Sequence, residues 1–232
     1  MYLDMPYIVF VLPAVLLSLW ASWNVKHTYE KYAEVMNTRC LTGAEAARRV
    51  LDAHGLRDVP VEHINGELND HYDPEARAVR LSDSVWGSTS VAAVGVACHE
   101  VGHAIQNAED YLPVKIRQAI IPATALGEKL SVPLLILGLV LASFSRVFIY
   151  LAYAGLGLYA LCAAFQLVTL PTEFDASRRA LASIEGMGLL DGEELRGAKK
   201  VLTAAALTYV AALSTTLMQL LRFVILVNDR KR

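Results

Sequence analysis

The chain is poor in cysteine: three residues in 232. Cys40, Cys98 and Cys162 are scattered, odd in number and form no closely spaced pair. That excludes a disulfide framework and a cysteine-based zinc site, and it suits a reducing compartment. Basic tracts are missing too. The net charge is −2, and the terminal Arg230-Lys231-Arg232 is too short for a nucleic-acid surface, so no nucleic-acid partner is expected. No repeat or low-complexity tract interrupts the chain. The most telling absence is of charge over long stretches: Met5 to Trp23, Val147 to Leu170 and Val201 to Leu221 carry none.

Each of these runs approaches the roughly 20 residues that an α-helix needs to cross a bilayer. With 55% hydrophobic residues, the composition is that of a membrane protein. A fourth run, Leu130 to Ser145, extends toward Ile120, with Glu128 and Lys129 at an interface or facing other helices. Four spans are therefore expected. No basic residue precedes the first run, and its apolar stretch exceeds a typical signal core, so it reads as a retained anchor. Lys26, Lys31 and Arg39 follow it whereas only Asp4 precedes it, which places the amino terminus outside and the next segment in the cytoplasm. The last run is basic at both ends, with Arg196, Lys199 and Lys200 before it and Arg222 and the terminal cluster after it. It either crosses or lies against the cytoplasmic segment.

The expected organisation is a transmembrane anchor at 5–23, a cytoplasmic α+β segment at 26–112 and a two-helix transmembrane hairpin at 120–170. A cytoplasmic segment follows at 171–200, and a transmembrane or membrane-associated helix at 201–227. The fold class is mainly α, with about four transmembrane helices and a small α+β zincin-like cytoplasmic domain. Within the polar segment, Thr42-Gly43-Ala44-Glu45 reads as a capping box opening a helix that stops at His54-Gly55. Val59 to Ile64 and Ala78 to Leu81 are β-prone, and Asn65-Gly66 and Asp73-Pro74-Glu75 supply turns. An exposed edge of such a sheet can hold an extended peptide by strand addition; a purely structural hairpin fits the pattern equally.

The pentapeptide His99-Glu100-Val101-Gly102-His103 carries the chemistry. It lies in a helix read as Ser88 to Gln106, with Ser88 as its cap. Residues i and i+4 share a helix face, so His99 and His103 can converge on one metal ion, and Glu100 borders the open coordination position. A hydrolytic zinc ion lowers the pKa of a water and needs a nearby base, the role expected of Glu100. Gly102 and Ala104 keep the surface small, either to admit a substrate backbone or to allow close helix packing. Asp70-His71-Tyr72-Asp73, just upstream, groups side chains able to bind a metal or an oxyanion, His71 among them. His27, His54 and His63 stand alone and are not assigned to the site.

A third ligand must return to the same side of the membrane. Two crossings restore that side, so Glu173, in Pro171-Thr172-Glu173-Phe174-Asp175, is the candidate. It is expected to open a helix running to Ile184 or Glu185. A simpler role, complementing the helix dipole, remains open. Asp175 and Ser177 are candidates for accepting the imidazoles' remaining N–H, and Arg178 or Arg179 for stabilising an oxyanion, although arginines beside a membrane also serve as topology signals.

Three segments, Leu68-Asn69-Asp70-His71-Tyr72-Asp73-Pro74, Val96 to Gln106 and Pro171 to Ala180, resemble the bacterial neutral zinc metallopeptidases of the YugP-like type, multi-pass membrane proteins. The last segment is also distantly similar to the Glu-x-x-Ala-Asp motif of the heat-shock and CAAX-processing membrane peptidases, whose glutamate binds zinc. Glu173 matches that glutamate and Ala176 the alanine, but Ser177 stands where those enzymes have aspartate. The resemblance implies a multi-pass zinc peptidase of the cell membrane.

Two rivals are open. Leu190-Asp191-Gly192 has the letters of a site-2 intramembrane protease, but Asp191 to Glu194 reads as a capping box. A zinc-binding scaffold without activity has no use for the carboxylate of Glu100 beside an open position. The expectation is therefore a zinc peptidase, one Zn2+ per chain, facing the cytoplasm and acting on peptides or membrane proteins in the lipid bilayer. Oligomeric state is not legible.

Overall fold

The computed structural model describes residues 5–231; Asp4 and Arg232, used above as flanking charges, lie outside the described residues. The chain is mainly helical, with one small three-stranded sheet. It divides into two compact units. One comprises residues up to Ala21, Lys115–Leu170 and residues from Thr208 onward; the other comprises Ser22–Val114 and Pro171–Leu207.

The first unit is built from apolar helix. A π-helical turn at Tyr7–Val11 leads into α1, Leu12–Ala33; α5 spans Leu112–Leu141, α6 Ile149–Gly186 and α7 Gly192–Lys231. Four helices, Tyr7–Ala33, Leu112–Leu141, Arg146–Gly186 and Gly192–Arg230, are long and apolar enough to cross a membrane. That agrees with the four runs read from the sequence and makes the last of them spanning in length. Without a hydrophobic drive between helices in lipid, small residues and side-chain hydrogen bonds set the contacts. A Cβ added at Gly138 would meet the Ala152 nitrogen at 2.2 Å, and one at Gly155 the Ser131 oxygen at 2.5 Å, so α5 and α6 touch backbone to backbone. Ser18 and Thr215 share a hydroxyl hydrogen bond of 2.9 Å between α1 and α7, and Thr215 also donates to the Ala14 carbonyl at 3.1 Å.

The second unit holds the polar elements. Helix α2, Gly43–Ala53, opens on the expected capping box between Thr42 and Glu45 and ends at His54, followed by Gly55 at φ +75°. Strands β1 (Val61–Ile64), β2 (His71–Asp73) and β3 (Ala78–Ser82) form a sheet in the order β1-β3-β2. β3 pairs with β1 in parallel and with β2 in antiparallel, the β2–β3 hairpin turning where Asp73 Oδ1 accepts from the Glu75 and Ala76 amides. A short helix α3, Asp83–Trp86, leads to α4, Val91–Ala108. The α4 cap is Ser90, whose hydroxyl accepts from the Ala93 amide, rather than the expected Ser88; the Ser88 hydroxyl instead donates to Ser90. Leu51, Leu81, Val94, Val101 and Ile184 are fully buried in one core, which clamps α4 on nearly every face.

One expectation fails. No helix starts at Pro171, because α6 runs unbroken through it and Glu173 sits in the helix interior. An interior proline loses one backbone donor and strains the turn before it, a cost that neighbouring groups and a long helix on both sides can absorb.

Candidate metal centre

The α4 spacing does what i, i+4 geometry requires. The imidazoles of His99 and His103 meet edge to face, centroids 4.8 Å apart. Their Nε2 atoms face one oxygen of Glu173, at 3.4 Å from His99 and 3.6 Å from His103. One donor atom from each of the three side chains lies within 4.8 Å of the others, so this group can hold a metal ion. Glu173 is only 4% exposed, and so deep a carboxylate needs cationic or metal partners.

The opposite ring nitrogens decide whether that group suits zinc. His99 Nδ1 lies 3.1 Å from Ser177 Oγ, and His103 Nδ1 lies 3.1 Å from Gln106 Oε1. Gln106 is fully buried, and its Nε2 donates to the Thr172 carbonyl at 2.7 Å and to Asp175 Oδ2 at 3.0 Å. Both of those neighbours are acceptors, so the amide can be turned only one way and its oxygen must face His103. His103 then donates from Nδ1 to Gln106, and Nε2 is the nitrogen that faces Glu173 and would offer its lone pair to a metal in the neutral ring. This is the protonation that a metal-binding imidazole requires, with the oxygen behind each ring fixing its orientation. Two nitrogen donors and one carboxylate oxygen fit zinc with a position left open.

Glu100 stands beside the cluster, 9% exposed, and its Oε2 accepts from the Tyr72 amide of β2 at 3.0 Å. Burial raises its pKa above the ordinary carboxylate value; the charges of His99 and His103 oppose that shift, and those of Glu173 and Asp70 add to it. For His103, burial pulls the pKa down, but the hydrogen bond to Glu173 and the charges of Glu100 and Glu173 outweigh it, and the net shift is upward.

Other expected residues fall elsewhere. Ser177 reaches His99, and Asp175 acts one step removed, through Gln106. Arg178 and Arg179 both pair with Asp175, Arg179 also reaching Glu109 at 2.6 Å. His71 is exposed on β2, its Nδ1 2.8 Å from the Asn69 oxygen. Asp70 holds the Ser82 amide and hydroxyl, and Asp73 pairs with Arg80 at 2.5 Å. His54 bonds Ser183, His63 bonds Asp83 and His27 stacks on Trp23. Asp191, the rival ligand, is engaged by Arg39 at 3.2 Å, and its amide donates to Glu194.

Gly102 resolves one ambiguity. A Cβ there would lie 2.5 Å from the Ala176 carbonyl oxygen, so the missing side chain lets α4 pack on the part of α6 that carries Glu173. Gly102→Ala is expected to cost about 1–3 kcal/mol through overpacking. It should weaken zinc binding as Glu173 is pushed away, which thermal melting with and without zinc measures. Gln106→Leu keeps the volume but frees the His103 tautomer. It should weaken zinc roughly 10- to 100-fold in a competition titration against a chelator, with little change in fold.

Helices of membrane-spanning length and a two-histidine, one-carboxylate cluster that could hold a metal ion define the class: a membrane protein with a candidate metal centre. Residues 7–228 match the family described as "Putative neutral zinc metallopeptidase", and the chain belongs to that family. It is 45% identical over 229 residues, 97% of this chain and 99% of the relative, to the "Putative membrane protease YugP" of Bacillus subtilis (strain 168). No solved structure matches the chain. The family implies zinc as the metal.

Proposed function

We propose that the chain is a membrane-bound zinc metallopeptidase. His99, His103 and Glu173 hold one ion per chain, and Glu100 is the general base for peptide-bond hydrolysis. One observation carries this reading: both Nε2 atoms converge on Glu173 while their Nδ1 atoms are held from behind, and a buried carboxylate outside that group borders it. Zinc, when bound there, supplies Lewis acidity that acidifies a water and polarises a carbonyl.

The chain's own groups do the rest. Glu100, fixed by the Tyr72 amide through Oε2, leaves Oε1 to take the proton of the attacking water. Burial makes Glu100 a stronger base than an exposed carboxylate, and it can then return the proton to the leaving amine nitrogen. Among the described residues β2 has β3 as its one strand partner, and its Tyr72 amide meets Glu100. A substrate strand added along β2 would lie beside the base, its backbone held without demand for one particular side chain.

The polar segments 26–112 and 171–200 together form a zincin-like domain in this reading. Lys26, Lys31 and Arg39 after the first apolar run set it on the cytoplasmic side, where membrane proteins with cytosolic segments and misassembled chains are the substrates. The test is digestion of an unfolded protein such as casein by the detergent-purified chain, with products mapped by mass spectrometry. Cleavage at internal peptide bonds that stops on chelation is expected. Intact substrate across a broad peptide library, with zinc bound, would contradict the reading.

A further inference from the structure

A second concave site lies in the same unit as the metal cluster but shares no residue with it. It is a groove of about 620 Å³ between the carboxyl-terminal part of α1 and the amino-terminal part of α7. That is within the ~300–1,000 Å³ range of small-molecule sites. Its charge is of one sign. Lys31, Arg196, Lys199 and Lys200 line it together with His27, and no aspartate or glutamate does. The chain as a whole carries −2, so this concentration is local and not a reflection of a basic protein.

Three of the four basic side chains lack a carboxylate partner among the described residues: Arg196 is held by Glu193, but no carboxylate pairs with Lys31, Lys199 or Lys200. The ammonium groups of Lys31 and Lys200 lie 5.7 and 6.0 Å from the centroid of one ring, that of Tyr32. Gathering like charges around one ring costs electrostatic energy that an anion would offset. A Cβ at Gly197 would sit 2.7 Å from that ring, so the absence of a side chain there is what lets Tyr32 pack against α7 between the lysines.

Position supplies the identity of the anion. The groove begins at Asn24, directly after the charge-free run that ends at Trp23, and its other wall is the stretch of α7 that turns apolar from Val201. Ala204 and Leu207 continue the lining into that apolar stretch, so the site is cationic at one end and hydrocarbon-like at the other. Thr28 and Thr203 add hydroxyl donors. Basic pockets where membrane helices enter the cytoplasmic interface suit the phosphate of a lipid headgroup.

We infer that this groove binds the phosphate headgroup of an anionic phospholipid, holding the helix ends against the inner leaflet independently of peptidase activity. The shared chemistry is a phosphate ester, and free phosphate is the alternative source.

The test is native mass spectrometry and thermal-shift titration of the full chain in detergent. The probes are phosphatidylglycerol, phosphatidylcholine of the same acyl chains, and inorganic phosphate. Phosphatidylglycerol is expected to remain bound and to raise the melting temperature, with phosphatidylcholine and phosphate at least about tenfold weaker. At about fivefold per lysine near the surface, K31Q/K199Q/K200Q should weaken phosphatidylglycerol on the order of 100-fold at low salt. A control that removes three charges outside the groove, K26Q/R49Q/R77Q, should leave binding unchanged, and both variants should retain the circular dichroism of the parent. Equal retention of both lipids, equal loss in the two variants, or phosphate binding as tightly as the lipid would each overturn the inference. So would displacement of the lipid by an acidic peptide that the lysine variant no longer binds, which would make the groove a substrate site.

Discussion

Glu100→Gln is expected to abolish peptide hydrolysis while zinc stays bound. The substitution keeps the shape of the side chain and an oxygen for the Tyr72 amide to donate to, so β2 should remain in place. What it removes is the proton transfer proposed for this carboxylate, from water and back to the leaving amine, a contribution of about 10²- to 10⁴-fold in general acid–base catalysis. None of the three ligand side chains is touched, so zinc content should remain at one equivalent. Stability should hold or rise, because burial disfavours the charged carboxylate that glutamine replaces. Zinc content, thermal melting and cleavage rate measured on one preparation separate these effects. Retained activity in Glu100→Gln would move the base to another residue.

The second large effect is at Glu173. Glu173→Ala removes the only oxygen donor of the cluster and leaves the two Nε2 atoms facing a void. Structural zinc sites gain roughly 10–16 kcal/mol from about four ligands, so losing one should weaken affinity on the order of 10²- to 10³-fold. Activity should fall with it and recover partly when zinc is raised. Glu173→Gln, which preserves volume within α6 and keeps a weak oxygen donor, should fall between the parent and the alanine variant. A chain that folds normally and binds zinc equally well without Glu173 would remove it from the centre.

Why some of this was legible in advance follows from the range of each signal. The histidine pair is a local property of helix geometry, visible as soon as a helix is expected, and charge-free runs mark membrane-length helices through composition alone. The partnership with Glu173 is within reach of the sequence because two apolar runs, an even number, separate residue 173 from the histidines. Its place in the helix is not legible, because Pro171 carries the letters of a helix start, whereas a helix already 22 residues long at that point carries through the proline. Ser88 and Ser90 have equal letters as caps, and only the backbone path into α4 distinguishes them. Strand β2 has three residues, too few for a period of two to appear, so no pattern in His71 to Asp73 marks a strand.

Gln106 illustrates the harder case. It lies one turn beyond His103 on the same face, which hints at contact, but its role depends on Thr172 and Asp175, 66 and 69 residues away. The Tyr72 amide bonded to Glu100 is harder still, since a backbone N–H has no letter in the sequence. The arginines are the reverse case: their charge suggests oxyanion binding, while both pair with Asp175, three and four residues earlier on the same helix.

The most direct measurement is a zinc titration of the metal-free protein in detergent, following peptide cleavage and bound metal together. Cleavage should be absent at the start, rise in proportion to bound zinc and level off at one equivalent per chain, with His99→Ala and His103→Ala failing to recover it. Full cleavage by the metal-free chain, or one equivalent of zinc bound with no cleavage of any peptide in a broad library, would contradict the assignment.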